Sequence, residues 1–453
     1  MQDNLNALIE KYNVAAPRYT SYPTVPYWNN EGFSKSEWIQ ALKSRFDRNP
    51  EQGISVYIHL PFCESLCTYC GCNTRITRNH QVEQPYIKAL LKEWEMYKAT
   101  LGNQTLQIHE IHLGGGTPTF FAPEHLEQLI KGILEGNTIS ENHVFSFEAH
   151  PANTSKEHLQ TLFDLGFRRL SLGIQDFDSE VQRVINRKQS VEDVERVVRE
   201  ARGIGYTSIN FDLIYGLPLQ SLESVANTVA VSLAMKPDRI AFYSYAHVPW
   251  LKKGQRHFTE KDLPVGSAKL ELYKLGRRMM LDAGYADVGM DHFALPDDSL
   301  FLSAKNGALH RNFMGYTEQY TPLLIGLGVS SISDAWSAYA QNVKTVEEYY
   351  SLIERDELPV FRGHILTPSD GITRKYILEL MCRDRVWLKD NSDSEIIKLR
   401  LQELIEDGLV DILGHEVRVT MKGKMFVRNI CTAFDDYLHR QEQDSITRFS
   451  QAV

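Results

Sequence analysis

Six short apolar runs alternate with stretches whose apolar residues recur at helical spacing. The runs are "ISVYIHL" (54–60), "LQIHEIHL" (106–113), "HVFSFEA" (143–149), "RRLSLGI" (168–174), "TSINFDLIY" (207–215) and "RIAFYSY" (239–245). Between them lie "EQPYIKALLKEWEMYKA" (83–99), "SKEHLQTLFDLGF" (155–167) and "SVEDVERVVREARGIG" (190–205). Runs of the first kind predict strands and those of the second helices. The βαβα order implies an α/β fold, with a parallel sheet, covering helices and right-handed crossovers, closed into a partly open TIM-like barrel. After about residue 365 the alternation stops. Segments 369–382 and 394–410 read as helices, 410–420 as a short hairpin, and the tail as a terminal helix. The expected organisation is an N-terminal arm and helical extension (1–50), an α/β barrel domain (51–365), and a small, mainly helical, winged-helix-like domain (366–453), acting as a lid over the barrel mouth.

Composition narrows the function classes. With 453 residues, 43% hydrophobic and 24% charged, the chain holds a large core and is neither disordered nor fibrous. A net charge of −9 and a pI near 5.9 argue against nucleic acid or an anionic membrane as partner, so an anionic ligand needs a local basic pocket. The start, "MQDNLNALIEKYNV", has no basic region leading into an apolar run, and no stretch reaches the roughly 18 apolar residues of a membrane span. A cytoplasmic, monomeric protein is expected.

Four of the six cysteines, Cys63, Cys67, Cys70 and Cys72, fall within "FCESLCTYCGCN" (62–73). In a reducing compartment such clustering points to metal or redox chemistry, whereas the isolated Cys382 and Cys431 read as buried thiols. A structural zinc site would use a second knuckle, which is missing. A dithiol would use Cys67 and Cys70 alone. Three thiolates on one loop can also hold a [4Fe–4S] cube, leaving its fourth iron for a non-protein ligand.

The unusual residues follow the strands. The cysteine loop follows the first run and "GGGTPT" (114–119) the second; Glu148 ends the third, Gln175 the fourth, Asp212 and "YGLP" (215–218) the fifth, and Ala246 and His247 the sixth. Strand C-terminal ends form the active face of a parallel barrel, so these residues converge on one mouth. Gly114, Gly115 and Gly116 let backbone approach a ligand. Glu148 suits a ribose hydroxyl, or a salt bridge with Arg168 or Arg169. Asp212 has the same options, or a backbone cap. Arg187 alone would read as an exposed helical cation.

CxxxCxxC resembles the signature of the radical S-adenosylmethionine (SAM) superfamily, which makes Cys63, Cys67 and Cys70 the cluster ligands and Cys72 the spare. "APRYTSYPT" (16–24), "YIHLPFC" (57–63), "LGGGTPT" (113–119), "SLGIQDF" (171–177), "NFDLIYGLP" (210–218), "GMDHFALPDD" (289–298) and "HRNFMGYT" (310–317) resemble the oxygen-independent coproporphyrinogen III oxidase family. The resemblance runs from about residue 10 to the C-terminus. It implies oxidative decarboxylation of two propionates of coproporphyrinogen III to vinyl groups in haem biosynthesis, using one [4Fe–4S] cluster and two SAM molecules. It also implies a one-electron donor such as flavodoxin or ferredoxin, and an unspecified acceptor. By matched position Tyr57, Gly115, Glu148 and Ile332 meet the cluster-bound SAM. Tyr69, Gly116, Thr117, Gln175, Arg187, Asp212 and Ala246 meet the second. Tyr57, Glu148, Phe313 and Ile332 are the expected catalytic positions. Arg18, Arg311 and Arg75 or Arg78 are expected to hold propionates. Tyr19 and Tyr22 are expected to fold over the mouth, unless the arm is a brace.

One departure stands out. Many relatives read Glu-x-Asp-Pro-Arg at the third strand end, and this chain reads Glu148, Ala149, His150, Pro151, Ala152. Two other readings stay open: a haem chaperone with the same barrel, and a zinc- or cluster-stabilised binding protein. The "RYTSYPT" arm and Cys72 favour the decarboxylase.

Overall fold

The computed structural model describes residues 2–440 apart from 49, 251 and 391, together with residue 449. Six strands follow one another across a parallel sheet: β1 (Ile54–Leu60), β2 (Gln107–Gly115), β3 (Thr138–Ala149), β4 (Phe167–Gln175), β5 (Ser208–Tyr215) and β6 (Arg239–Ser244). Six more follow: β7 (Ala286–Gly289), β8 (His292–Ala294), β9 (Leu324–Leu327), β10 (Ile332–Asp334), β11 (Ala338–Asn342) and β12 (Val360–Ile365). The order is β12-β11-β10-β9-β1-β2-β3-β4-β5-β6-β8-β7. β9 runs parallel to β1, while β10–β12 at one end and β7–β8 at the other are antiparallel. The two ends do not pair, so the barrel is partly open.

Period-2 alternation decides which way the sheet faces. Ile54, Val56, Ile58 and Leu60 of β1 are fully buried and join the main apolar core. That core also holds Leu90 and Trp94 of helix Glu83–Thr100, Leu129 of Pro123–Leu134, and Val197 of Val191–Ile204. Burying one such side chain is worth about 1.5–3 kcal/mol, so a one-residue slip that turned the set inward would be costly. The intervening positions therefore carry polar groups into the barrel. Serine capping boxes at Ser155, Ser190 and Ser221 start three of the crossover helices.

Side chains from β2 through β6 line one inner cavity of about 110 Å³, which requires the sheet to curl. At its floor Glu318 binds Arg169 of β4 at 3.2 Å and Arg239 of β6 at 2.5 Å, and Asp298 binds Arg239 at 2.7 Å. This buried network ties strands two apart across the barrel.

The C-terminal region contains helices Pro368–Arg383 and Ser392–Glu406 beside a three-stranded antiparallel sheet. The expected hairpin is Val410–Leu413 with Glu416–Val419, and Arg385–Trp387 adds an unforeseen third strand. The expected terminal helix is broken into Val427–Thr432 and Asp436–Arg440, and the rest of that expectation lies outside the described residues.

The N-terminal arm divides between two cores. Helix Lys35–Arg48 buries Trp38, Leu42 and Phe46 in the barrel core. Leu8, Ile9, Tyr12, Tyr19 and Tyr22 instead join the apolar cluster of the C-terminal region. Tyr19 donates to Asp435 at 3.0 Å, and the Tyr339 hydroxyl donates to the Tyr22 carbonyl at 3.2 Å. Tyr19 and Tyr22 are thus core residues of this junction, not a screen over the mouth. Burial of their rings against Leu380, Ile430 and Phe434 outweighs any exposed placement. Among the described residues no helix is long and apolar enough to cross a membrane.

Candidate active site

A cavity of about 650 Å³ opens at the C-terminal ends of the parallel strands. Cys63, Cys67, Tyr69 and Cys70 line one side, and Gly115, Gly116, Thr117, Glu148, Gln175, Arg187 and Asp212 line the rest. Four strands, β2 to β5, and the loops after β1, after β2 and around Arg187 deliver these side chains, as barrel topology requires. Among the described residues none beyond Tyr243 lines the cavity. The described part of the C-terminal region packs beside the arm.

The first strand enters the loop through close backbone contacts. The N–H groups of Gly116 and Thr117 donate to the Leu60 and Phe62 carbonyls at 2.8 and 3.0 Å. A Cβ on Gly116 would stand 2.6 Å from the Pro61 backbone, so only glycine lets these segments meet. Gly115, at φ +111°, faces the His59 ring, which a Cβ would strike at 2.6 Å. His59 Nε2 donates to the Asn73 carbonyl at 2.8 Å, and its Nδ1 takes the Tyr57 hydroxyl at 3.1 Å. Burial keeps this imidazole neutral.

The three thiols meet different partners. Cys63 Sγ lies 3.3 Å from Thr117 Oγ1, and burial pushes its thiol up to about 11. Cys70 is drawn down to about 6, by hydrogen bonding from Cys72 against its burial and with help from Lys252 and Arg187. The Cys72 backbone N–H donates to Cys70 Sγ at 3.4 Å. Cys67 Sγ lies 3.7 Å from Arg187 Nη1. Among the described residues no three Cys, His, Asp or Glu side chains gather round a single point, as one metal ion would require. Three soft ligands along one wall of a roomy cavity, with a cation and N–H donors behind them, fit a multi-iron cluster better than a zinc ion.

Opposite the thiols, the inner face reads His112, Ser146 and Glu148. His112 stacks against Tyr57 at 5.9 Å, and its Nδ1 lies 2.8 Å from Ser146 Oγ. Its Nε2 lies 3.6 Å from Glu148, which also accepts the Gly115 N–H at 3.2 Å. Burial pushes Glu148 up, but His112 and the Gly115 N–H outweigh it and hold the carboxyl below its usual range. Neither expected arginine is its partner: Arg169 serves Glu318, and Arg168 lies over the Phe163 ring. Alternation turns Arg168 to the other face, whereas Arg169 shares the inner face but sits level with Ser146, one step below Glu148, where Glu318 takes it up.

Asp212 accepts from Ser171 at 2.9 Å and Asn210 at 2.9 Å, so side chains rather than a backbone cap hold it. Burial and the neighbouring Glu148 charge raise it to about 7. Arg187 is not an exposed helical cation. It lies between helices Ser179–Val184 and Val191–Ile204, is 7% exposed, and reaches Tyr69 Oη at 3.4 Å, Gln189 at 3.0 Å and the Gly173 carbonyl. Gln175 ends β4 at φ +68° and is aimed at the cavity. At the departure, His150 Nδ1 accepts the Ala152 N–H at 3.2 Å and so caps the turn Pro151–Asn153, a job an aspartate oxygen can also do. Burial and Arg187 hold this imidazole down to about 3.

Other predicted residues lie apart. Ala246 adjoins the cavity through Gln255, whose Nε2 donates to the Ala246 carbonyl at 3.2 Å and the Tyr69 carbonyl at 3.1 Å. Ile332 begins β10 and Phe313 packs edge-on against Trp28 and Tyr339; neither lines the cavity. Arg18 pairs with Asp291 at 2.8 Å beside Tyr243, which does line it. Arg311 is buried over Tyr316 and donates to the Arg18 carbonyl at 3.2 Å, so it braces Arg18. Arg75 pairs with Glu347, whereas Arg78 lines the cavity. Gln255, His59 and His112 were missed. The inward position of the two histidines in their strands was the available signal; Gln255 had none.

A parallel barrel with a CxxxCxxC loop at its mouth defines a radical SAM protein, and the radical SAM superfamily profile matches residues 57–231. The oxygen-independent coproporphyrinogen III oxidase of Escherichia coli (strain K12) is 39% identical over 99% of this chain and 98% of its own. That of Synechocystis sp. is 37% identical over 98% and 97%. A solved Escherichia coli coproporphyrinogen III oxidase, described as a radical SAM enzyme, superposes with a TM-score of 0.88 at 37% identity, over 95% and 98% of the two chains. The chain belongs to the oxygen-independent coproporphyrinogen III oxidase family.

Proposed function

We infer that the protein converts coproporphyrinogen III to protoporphyrinogen IX, turning two propionate side chains into vinyl groups with loss of two CO2, each propionate giving one hydrogen atom to an adenosyl radical and one electron to an external acceptor. The observation that carries this reading is the sharing of one cavity by three clustered thiols and a ring of ligand-binding groups. When bound, the [4Fe–4S] cluster and SAM supply a 5′-deoxyadenosyl radical that takes hydrogen from the propionate β-carbon. Cys63, Cys67 and Cys70 hold the cluster and leave one iron for SAM.

Glu148 stays ionised beside His112 and offers its carboxylate to hydroxyls of the cluster-bound SAM, with Tyr57, Gly115 and Ile332. Tyr69, Gly116, Thr117, Gln175, Arg187, Asp212 and Ala246 hold a second SAM, which matches two propionates to two radicals. Arg78, which lines the cavity, and Arg18, which stands over the lining residue Tyr243 and would share its charge between Asp291 and a propionate, bind substrate carboxylates. Phe313 acts from behind the arm, through Trp28 and Tyr339.

The test is anaerobic incubation of reconstituted protein with SAM, a reductant and coproporphyrinogen III, followed by air oxidation and fluorescence detection. Protoporphyrin is the expected product. Unchanged coproporphyrin with an intact cluster would refute the reading.

A further inference from the structure

The rim of the cysteine loop has its own character, with Leu66 and Lys188 at the edge of the active-site cavity. Leu66, 40% exposed, lies between two other segments: Asn186 Nδ2 donates to its carbonyl at 2.7 Å, and a Cβ on Gly254 would touch its Cδ2 at 3.4 Å. These contacts bring the segment that carries Lys188 to one side of Leu66 and the segment that carries Lys252 and Lys253 to the other. Lys252 Nζ donates to the Cys72 carbonyl at 3.3 Å, and Arg256 Nε to the Pro249 carbonyl at 3.0 Å, next to Trp250, which is 55% exposed. Among the described residues none of these four cations pairs with a carboxylate. Glu64 of the loop is turned to His80, at 3.7 Å. A chain of net charge −9 thus presents two exposed apolar side chains and four cations without a carboxylate partner among the described residues, on segments packed against the loop that carries the cluster thiols.

We propose that this face, centred on Leu66 and Trp250 and rimmed by Lys188, Lys252, Lys253 and Arg256, docks a small acidic one-electron carrier protein. The inference rests on the proposed function, which needs one electron per SAM cleaved. The charge pattern selects the occupant. An anionic carrier is repelled by the acidic remainder of the surface and drawn to this ring, which orients it and raises the encounter rate. Two apolar side chains inside a cationic rim suit a small, transient interface. In the transfer a flavin hydroquinone becomes a semiquinone, and its electron takes the cluster from the 2+ to the 1+ state.

The probe is a purified acidic flavodoxin. Binding of its oxidised form to the reconstituted protein is measured by titration at low and high salt, for wild type, Lys253→Glu/Arg256→Glu and Lys253→Gln/Arg256→Gln, with iron content matched. The charge-reversal pair should raise Kd at least tenfold at about 10 mM salt, the neutral pair less, and the differences should shrink at about 0.5 M, where screening is short-ranged. Photoreduction by neutral deazariboflavin should bleach all three clusters at equal rates. Equal flavodoxin affinities, or no binding by wild type, would overturn the proposal. So would a raised KM for coproporphyrinogen with flavodoxin binding unchanged, because the cations would then belong to the substrate. Because binding is read without turnover, wild type that binds flavodoxin through this face but makes no vinyl product would refute the proposed function and leave the docking face standing.

Discussion

Arg187 Nη1 stands 3.7 Å from Cys67 Sγ, inside the protein, and among the described residues it pairs with no carboxylate. Its remaining contacts are the Tyr69 hydroxyl, Gln189 and the Gly173 carbonyl. A buried guanidinium held only by neutral groups and a thiol needs an anion nearby, and a thiolate-ligated cluster provides one. Arg187→Met should therefore keep most of the iron but lower the cluster reduction potential by tens of millivolts, since about 59 mV is a tenfold change for one electron. Redox titration by electron paramagnetic resonance reads the shift. An unchanged potential would confine Arg187 to bracing Tyr69.

The four clustered cysteines should separate into three and one. Alanine at Cys63, Cys67 or Cys70 should abolish iron and sulfide uptake on anaerobic reconstitution. Cys72→Ala should retain both, because the contact of Cys72 with Cys70 includes a backbone N–H that survives the change. Equal loss in all four would overturn the ligand set.

Asp212 carries a pH signature. Its folded value of about 7 exceeds the ordinary carboxyl value of 3.8, because of burial and Glu148. Between these values the folded protein holds a proton that the unfolded chain has released. Stability from this group is therefore full below about pH 4 and is lost as pH rises through about 7. Asp212→Asn has no charge at any pH, so in the ligand-free protein its melting temperature should exceed wild type by a few degrees more at about pH 8.5 than at about pH 5. A difference independent of pH would show that Asp212 does not titrate in this range.

Much of this site was legible because barrel rims and strand alternation are local signals. The six parallel strands fall near the sequence-predicted runs, although β3 starts earlier, at Thr138. The cavity gathers the thiols, the glycines, Glu148, Gln175 and Asp212 as expected. What escaped depends on partners distant in sequence. Arg169 and Arg239 find Glu318, and Gln255 reaches Tyr69, with no motif to announce either pair. The strands from β7 to β12 are three to six residues long, too short to establish a period. Tyr19 and Tyr22 were misplaced because an aromatic segment without period reads the same whether it covers a ligand or a neighbouring core.

That placement changes what the arm predicts. Tyr19, 2% exposed, packs in the C-terminal core, so Tyr19→Ala should cost about 3–5 kcal/mol, as for other large core aromatics, and lower the melting temperature. Arg18 is half-buried at Tyr243, and its ion pair with Asp291 is worth little to stability at partial exposure. Arg18→Gln should melt within a few degrees of wild type and still cleave SAM, yet lose most decarboxylation. Normal turnover by Arg18→Gln would leave the arm as a brace alone.

The central claim is that a radical formed in the 650 Å³ cavity takes hydrogen from the propionate β-carbon of coproporphyrinogen. Mass spectrometry of 5′-deoxyadenosine, after anaerobic turnover of coproporphyrinogen III deuterated at those β-carbons, tests it most directly. Incorporation of one deuterium per 5′-deoxyadenosine, with formation of the divinyl product, is the predicted result. Vinyl product accompanied by unlabelled 5′-deoxyadenosine would contradict the account.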